Sequence, residues 1–211
     1  MEEVLPGIYH WTGPPGTLDV PAHSYYVEPA AALIDPILPP EGLDAFGSLD
    51  RPQQVILTSR RHVRDSARFV RAFGALVRAA RPAAQAIRGV EPFRWGEEVA
   101  PGITTIEIGR VSEDETALQI GHAAGAIALG DALVHPPESP IAYASDDMLG
   151  KHPDRARMAL KDAFGALLQR DFDALLFTHG EPIPHHGKTA LRRFFEEPTQ
   201  YAEFGPFGTK P

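Results

Sequence analysis

The sequence predicts an α/β (α+β) fold arranged as a four-layer αββα sandwich. Short apolar strands and amphipathic helices follow one another in the order strands, strand–helix, strands, helix–strand–helix. Two halves that each pair a sheet with helices can bury their apolar faces by stacking the sheets back to back, with the helices outside. Proline and glycine are spread between the periodic segments of this 211-residue chain, which predicts a single domain over residues 1–211.

The first half of the chain carries apolar and β-branched runs typical of strands. Strands are predicted at residues 8–11, 24–27, 31–34 and 54–58, and a short helix over 39–46. Phe69, Val70, Phe73 and Leu76 then recur at helical spacing. This spacing predicts a helix from about Asp65 to Val77.

The second half repeats the pattern. Strands are predicted at residues 103–108, 118–120, 126–129 and 174–177, and a last helix over about 188–195. Between them, Pro153 is suited to the first turn of a helix. The predicted apolar stripe of that helix consists of Met158, Phe164, Leu167 and Leu168.

Composition excludes several classes of function. The formal net charge of −8 argues against general binding to nucleic acid or to an anionic membrane, because both partners are polyanions. The chain has no cysteine, so disulfides, thiolate metal sites and cysteine nucleophiles are excluded. The acidic start Met1-Glu2-Glu3 is not followed by an apolar stretch, and we therefore expect a cytoplasmic protein.

Four local motifs follow one another along the chain, and their order and spacing carry information about the fold. They are His23-Ser24-Tyr25-Tyr26-Val27 with Leu33-Ile34-Asp35-Pro36, Val55-Ile56-Leu57-Thr58 with the segment 59–66, Leu129-Gly130-Asp131, and Phe177-Thr178-His179-Gly180 with the segment 181–191. Together they cover about residues 4–196 and resemble the metallo-β-lactamase superfamily. The resemblance implies the αββα fold and a metal centre, with Asp131 as the bridging aspartate and His179 as the last histidine ligand.

The sequence departs from that family where the metal motif His-x-His-x-Asp-His is expected, directly after Thr58. The corresponding positions hold Ser59, Arg61, Val63 and Arg64, none of which is a suitable ligand. The segment 109–115, where a further family histidine is expected, contains none. Because a hydrolytic zinc site needs about three protein ligands, we expect a divergent member with a degenerate motif that has lost the dinuclear site.

The first functional hypothesis is a non-hydrolytic binding or structural role without a cofactor. Its predicted pocket comprises Ser59, Arg61, His62, Arg64, Asp65, Asp131 and His179. The arginines lie between a strand end and a predicted helix start, a place suited to a small anionic ligand. The alternative for them is a structural charge network with Asp35, Asp65, Asp131 or the acidic residues 113–115, and His62 is interpreted as a surface histidine at a helix entry.

The alternative hypothesis is a metal-dependent hydrolase with a rebuilt mononuclear site. One zinc or iron ion would be held by Asp131 and His179 together with His62 or Asp65, for hydrolysis of an ester, a thioester or a phosphorylated small molecule. Under both hypotheses, Asp131 and His179 are expected to lie close together, at the same end of the sandwich as Ser59 to Asp65. Metal content separates the two hypotheses.

Overall fold

The computed structural model describes residues 1–15, 21–109 and 111–196. The single domain predicted over residues 1–211 includes residues that lie outside these ranges. Within the described residues, the chain forms two main sheets with helices on their outer faces, as the predicted fold class requires. No helix in this part of the chain is both long and apolar enough to cross a membrane.

The first sheet has seven strands in chain order within the described residues. They are β1 Glu2–Leu5, β2 Ile8–Pro15, β3 Pro21–Val27, β4 Ala32–Ile34, β5 Gln54–Leu57, β6 Leu76–Ala80 and β7 Glu91–Phe93. Pairing is antiparallel from β1 to β4 and parallel from β4 to β7. The parallel strands β4 and β5 therefore end at the same edge of the sheet.

The second sheet has five described strands in the order β14-β11-β10-β9-β8. They are β8 Glu98–Ala100, β9 Ile103–Glu107, β10 Thr116–Ile120, β11 Ala126–Leu129 and β14 Ala174–Phe177. The strands β11 and β14 are parallel, so their ends also meet at one edge. A separate short pair consists of β12 Leu133–Val134 and β13 Ala142–Tyr143.

Helices cover both sheets. The α-helices are α1 Ser66–Phe73, α2 Arg81–Ala86, α3 Asp146–Leu149, α4 Pro153–Leu167 and α5 Gly187–Glu196, and the 3-10 helices span Glu28–Ala30, Gly42–Phe46 and Arg60–His62. One apolar core lies between the sheets, a second under α4 and α5, and a third under α1 and α2. This stacking gives the four layers that the order of elements predicts.

The predicted helix from Asp65 to Val77 is wrong in its second half. The helix α1 ends at Phe73, and Gly74 follows with a φ of 71°, a left-handed conformation that closes the helix. Leu76 then begins β6, which pairs with β5. The helical spacing of Phe69 and Phe73 is real, but its extension to Leu76 is accidental, because Leu76 is 39% exposed in the strand.

Two further helix predictions need correction. The segment 39–46 forms a 3-10 helix, Gly42–Phe46, and buries Phe46 against the aromatic rings of α1. In α4, Phe164 and Leu167 are buried as predicted, whereas Met158 is 72% exposed. Met158 therefore lies outside the apolar face of that helix, and Leu160 is buried there instead.

Candidate functional site

The candidate site lies where strand ends from both sheets come together. Asp35 follows β4, Thr58 follows β5, Asp131 follows β11 closely and His179 follows β14. Backbone hydrogen bonds join the two sheets here, from His23 N to Thr178 O at 3.0 Å and from Thr116 N to Thr58 O at 2.9 Å. The expectation that Asp131 and His179 lie together beside the segment 59–65 is confirmed.

His62 forms the centre of this site. Its Nδ1 lies 3.1 Å from Asp35 Oδ2, and its Nε2 lies 3.0 Å from Asp131 Oδ1. The residue is 3% exposed, so the interpretation of His62 as a surface histidine is wrong. The 3-10 turn Arg60–His62 directs the ring inward, between the ends of the two sheets.

Asp35 is held by hydroxyl and amide donors as well as by His62. Thr58 donates its backbone N–H to Oδ1 at 2.9 Å and its hydroxyl to Oδ2 at 2.5 Å, and the Thr178 hydroxyl donates to Oδ2 at 3.1 Å. Asp35 itself adopts a φ of 46°, a conformation that aspartate tolerates better than most residues. These contacts fix a buried carboxylate at the point where the sheets meet.

The charge states follow from these contacts. Burial by itself would lower the pKa of His62, but Asp35 and Asp131 raise it to about 10. Burial tends to raise the pKa of each carboxyl group, and His62 overrides this effect, so that both lie below their usual range. His62 is therefore an imidazolium that bridges two buried carboxylates at neutral pH.

His179 completes the cluster. Its Nε2 lies 3.2 Å from Asp131 Oδ1, and its ring lies 5.7 Å from the His62 ring, measured between centroids. Two buried atoms of this cluster, His179 Nδ1 and Asp131 Oδ2, have no hydrogen-bond partner in the part of the chain that the structure describes. Such atoms are uncommon in folded proteins and indicate a group that another molecule can satisfy.

Arg64 connects three segments around the cluster through hydrogen bonds. One amino group, Nη1, donates to the carbonyl oxygens of His23 at 2.8 Å and Asp35 at 2.7 Å, and the other donates to Thr178 Oγ1 at 3.1 Å. Arg64 adopts a φ of 40°, which is strained for this residue type. Its guanidinium is thus committed to the protein, and the prediction that Arg64 offers an open anion contact does not fit this geometry.

Arg61 is placed differently from its neighbours. Its side chain is 49% exposed, and Nη1 lies 3.7 Å from Asp131 Oδ2, beyond hydrogen-bonding distance. Arg60, in contrast, is paired with Glu113 at 2.7 Å and Asp114 at 3.0 Å. The predicted charge network therefore includes Arg60. Arg61 forms a longer ion pair with Asp131, and half of its side chain stays exposed at the rim of the cluster.

Two other residues of the predicted pocket serve the local backbone. Ser59 is buried and accepts a hydrogen bond from Arg61 N at 3.3 Å, which caps the 3-10 turn. Asp65 accepts from Leu38 N at 2.9 Å and pairs with Arg68 at 3.2 Å. Neither residue contacts Asp131 or His179 through these hydrogen bonds, so both support the backbone beside the His62 cluster.

Glu115 is a site residue that sequence reasoning missed. It is 1% exposed, its Oε1 accepts from Ala132 N at 3.0 Å, and its Oε2 has no partner within residues 1–15, 21–109 and 111–196. Burial, followed by the charge of Asp131, raises its pKa well above the ordinary value. Gly130 makes room for it, because a Cβ there would meet Glu115 Oε1 at 2.7 Å. The acidic run 113–115 gave no signal that two of its members, Asp114 and Glu115, are buried.

His10 and His23 form a second buried histidine pair beside the cluster. His10 Nε2 lies 2.8 Å from His23 Nδ1, and the rings stack with centroids 5.0 Å apart. Burial, followed by the charges of His10, His179 and Arg64, lowers the pKa of His23 to about 3. The His23 ring is therefore neutral at neutral pH.

The donor set decides which metals the site can hold. Within the described residues, His62, Asp131 and His179 offer ligand atoms that all lie within 4.8 Å of one another. Two ions do not fit, because the remaining motif positions carry Ser59, Arg61 and Arg64 in the contacts given above. One ion fits only if His62 loses the proton that its two carboxylates stabilise.

Comparison with known proteins identifies the fold. An archaeal metallo-β-lactamase superfamily protein from Sulfolobus tokodaii superimposes with a TM-score of 0.63 at 11% identity, over 94% of this chain and 91% of that one. A protein crystallised in a di-iron-bound form gives 0.62 at 23% identity, over 85% and 96%. A B3 metallo-β-lactamase with an active-site glutamic acid gives 0.61 at 17% identity, over 92% and 85%.

These similarities show that the chain has the metallo-β-lactamase fold, as its motifs predict. No family model matches the sequence, and no curated protein matches it in sequence. At identities of 11 to 23%, the neighbours establish the architecture, while the chemistry of this chain has to be inferred from its own residues.

Proposed function

We propose that this metallo-β-lactamase-fold protein binds a small anionic ligand at Arg61 and works without a hydrolytic metal. The observation that carries the proposal is the position of His62 between Asp35 and Asp131, with ring nitrogens 3.1 and 3.0 Å from their oxygens. An imidazolium there supplies positive charge from within the chain. That single positive charge offsets one of the two carboxylate charges without a bound ion.

The charges around the cluster favour an anion over a cation. Asp35 and Asp131 contribute two negative charges, whereas His62, Arg64 and Arg61 contribute three positive ones. Burial, followed by the charge of Asp131, raises the pKa of Glu115 well above the ordinary value, which favours its uncharged form. Because Arg64 is occupied by carbonyl oxygens, the guanidinium of Arg61 is the one that remains for a ligand among the described residues of this cluster.

Metal binding has to compete with the proton on His62. With a pKa of about 10, removing that proton at pH 7 costs about 4 kcal/mol, at 1.36 kcal/mol for each pH unit. An incoming cation would also lie close to Arg61, and two like charges 4 Å apart repel by about 4 kcal/mol at an effective dielectric constant of 20. Both terms weaken a metal site at these residues.

The second candidate is a hydrolase with one zinc or iron ion, acting on an ester, a thioester or a phosphorylated small molecule. The unpartnered atoms His179 Nδ1 and Asp131 Oδ2 favour it, as does the three-residue donor group. The chemistry that such an ion supplies, when bound, is polarisation of a carbonyl or phosphoryl oxygen. His62, Asp131 and His179 would be its ligands.

Thermal unfolding of the tag-free protein tests the proposal. We expect acetate, sulfate or phosphate to raise the melting temperature with increasing concentration, as mass action requires. The increase should disappear in Arg61→Ala and persist in the matched control Arg68→Ala, since Arg68 is an exposed arginine paired only with Asp65 in the contacts described.

Elemental analysis of the same preparation separates the two candidates. We expect less than stoichiometric zinc and iron, and the same melting temperature before and after dialysis against EDTA. One equivalent of either metal per chain that survives mild chelation would support the hydrolase. Equal anion responses in Arg61→Ala and in the unaltered protein would refute the proposed binding site.

A further inference from the structure

Asp131 presents an unusual combination of burial and incomplete hydrogen bonding. Its side chain is 2% exposed, and its Oδ1 is shared by His62 and His179. The other oxygen, Oδ2, is buried and has no hydrogen-bond partner among the described residues. A buried carboxylate oxygen without a donor is costly, so this atom can gain substantially from a donor supplied by a ligand.

An accessible arginine lies beside that oxygen. Arg61 Nη1 lies 3.7 Å from Asp131 Oδ2, and half of the Arg61 side chain is exposed. A guanidinium offers several N–H donors in one plane and can bind a carboxylate through two of them. Asp131 Oδ2, which can accept a hydrogen bond, and the guanidinium of Arg61, which can bind an anion, are thus less than 4 Å apart.

We propose that the ligand of this site is a small α-hydroxycarboxylate, whose carboxylate binds Arg61 and whose hydroxyl donates to Asp131 Oδ2. This inference rests on the proposed anion-binding function and narrows it to one chemical class. The short separation of the two protein groups requires that the two ligand groups be on the same or adjacent carbons. A hydroxyl next to a carboxylate meets this requirement.

The charges select among related ligands. Among the described arginines of the segment 60–64, Arg61 is the one whose guanidinium is available, because Arg60 is paired with Glu113 and Asp114 and Arg64 with backbone carbonyls. A monoanionic carboxylate therefore fits better than a dianionic phosphate. An ammonium group would also donate to Asp131 Oδ2, but it would bring a further positive charge beside His62 and Arg61.

Isothermal titration with a matched ligand series tests the inference. Glycolate is expected to bind the full chain at least ten times more tightly than acetate, which lacks the hydroxyl. Methoxyacetate keeps the ether oxygen but has no O–H, so it should bind like acetate. Arg61→Ala should weaken glycolate binding at least tenfold, whereas Arg68→Ala should leave it unchanged.

The outcomes separate this inference from the function on which it rests. Equal binding of acetate and glycolate, both dependent on Arg61, would overturn the hydroxyl contact and leave the anion site intact. Tighter binding of glycine or inorganic phosphate than of glycolate would overturn the assigned ligand class. If none of the anions binds, the proposed anion-binding function fails together with the inference.

Discussion

Two histidines of this protein are equally buried, and yet one ring is positively charged and the other is neutral. His62 and His23 are each 3% exposed, and each lies where the two sheets meet. Burial lowers the pKa of both rings, because the charged form loses water. The pKa of His62 is nevertheless raised to about 10, whereas that of His23 is lowered to about 3.

The partners of the two rings explain the difference. His62 has a carboxylate at each ring nitrogen, Asp35 at 3.1 Å and Asp131 at 3.0 Å. His23 has the His10 ring at 2.8 Å, and the guanidinium of Arg64 further disfavours protonation of the His23 ring. The comparison teaches that the charge of a buried histidine depends on the neighbouring side chains, so exposure alone does not determine it.

The largest expected effect is on stability when each histidine is replaced by the same apolar residue. His62→Leu leaves two buried carboxylates without their shared cation and should lower the free energy of unfolding by about 3–5 kcal/mol. His23→Leu leaves only a neutral imidazole partner and should lower it by about 1–3 kcal/mol. Urea unfolding at pH 7 measures both, and equal losses would contradict the bridging role of His62.

The pH dependence of stability should reveal the same contrast. The folded pKa of His62 lies above the ordinary 6.5, so its stabilisation is complete below pH 6.5 and is lost as the pH rises towards 10. The folded pKa of His23 lies below 6.5, so protonation of the unfolded chain destabilises the fold as the pH falls from 6.5 towards 3. Each slope is at most about 1.4 kcal/mol per pH unit.

Urea titrations at several values between pH 5 and pH 9 test this prediction. His62→Leu should flatten the alkaline decline and leave the acid one, and His23→Leu should do the reverse. Burial lowers the pKa of His10 as well, so part of the acid decline should remain in His23→Leu. An unchanged alkaline slope in His62→Leu would show that the bridging proton is absent.

The fold could be predicted from sequence because its buried strands are compact apolar runs that end at polar residues. Ala174–Phe177, for example, is fully buried and is followed by Thr178 and His179. The strand β6 was missed because Leu76 continues the helical spacing of Phe69 and Phe73. The signal against a longer helix was Gly74, whose left-handed conformation ends α1.

The candidate site was only partly predictable. Asp131 and His179 follow buried strands, so strand order brings them together. From sequence, His62 is interpreted as a surface residue because it does not fall on any of the ligand positions counted from Thr58. The 3-10 turn that points its ring inward forms only in the folded chain. Its pairing with Asp35 and Asp131 spans 27 and 69 residues of sequence, distances at which one sequence carries no pairing signal.

The smallest change in stability is expected when the partner of His23 is exchanged. His10→Glu places a carboxylate near His23 Nδ1, where the unaltered protein has an imidazole at 2.8 Å. If partners determine the charge of a buried histidine, the pKa of His23 should rise from about 3 to above 6.5. The new pair gains attraction but buries a carboxylate near Glu2, so the free energy of unfolding at pH 7 should change by only about 1 kcal/mol.

The control His10→Gln introduces a similar shape without charge and should raise the pKa of His23 far less. Imidazole nitrogen and carbon shifts, followed by NMR from pH 4 to pH 9, measure the pKa directly. A His23 ring that stays neutral at pH 5 in His10→Glu would show that desolvation outweighs the partner at this position.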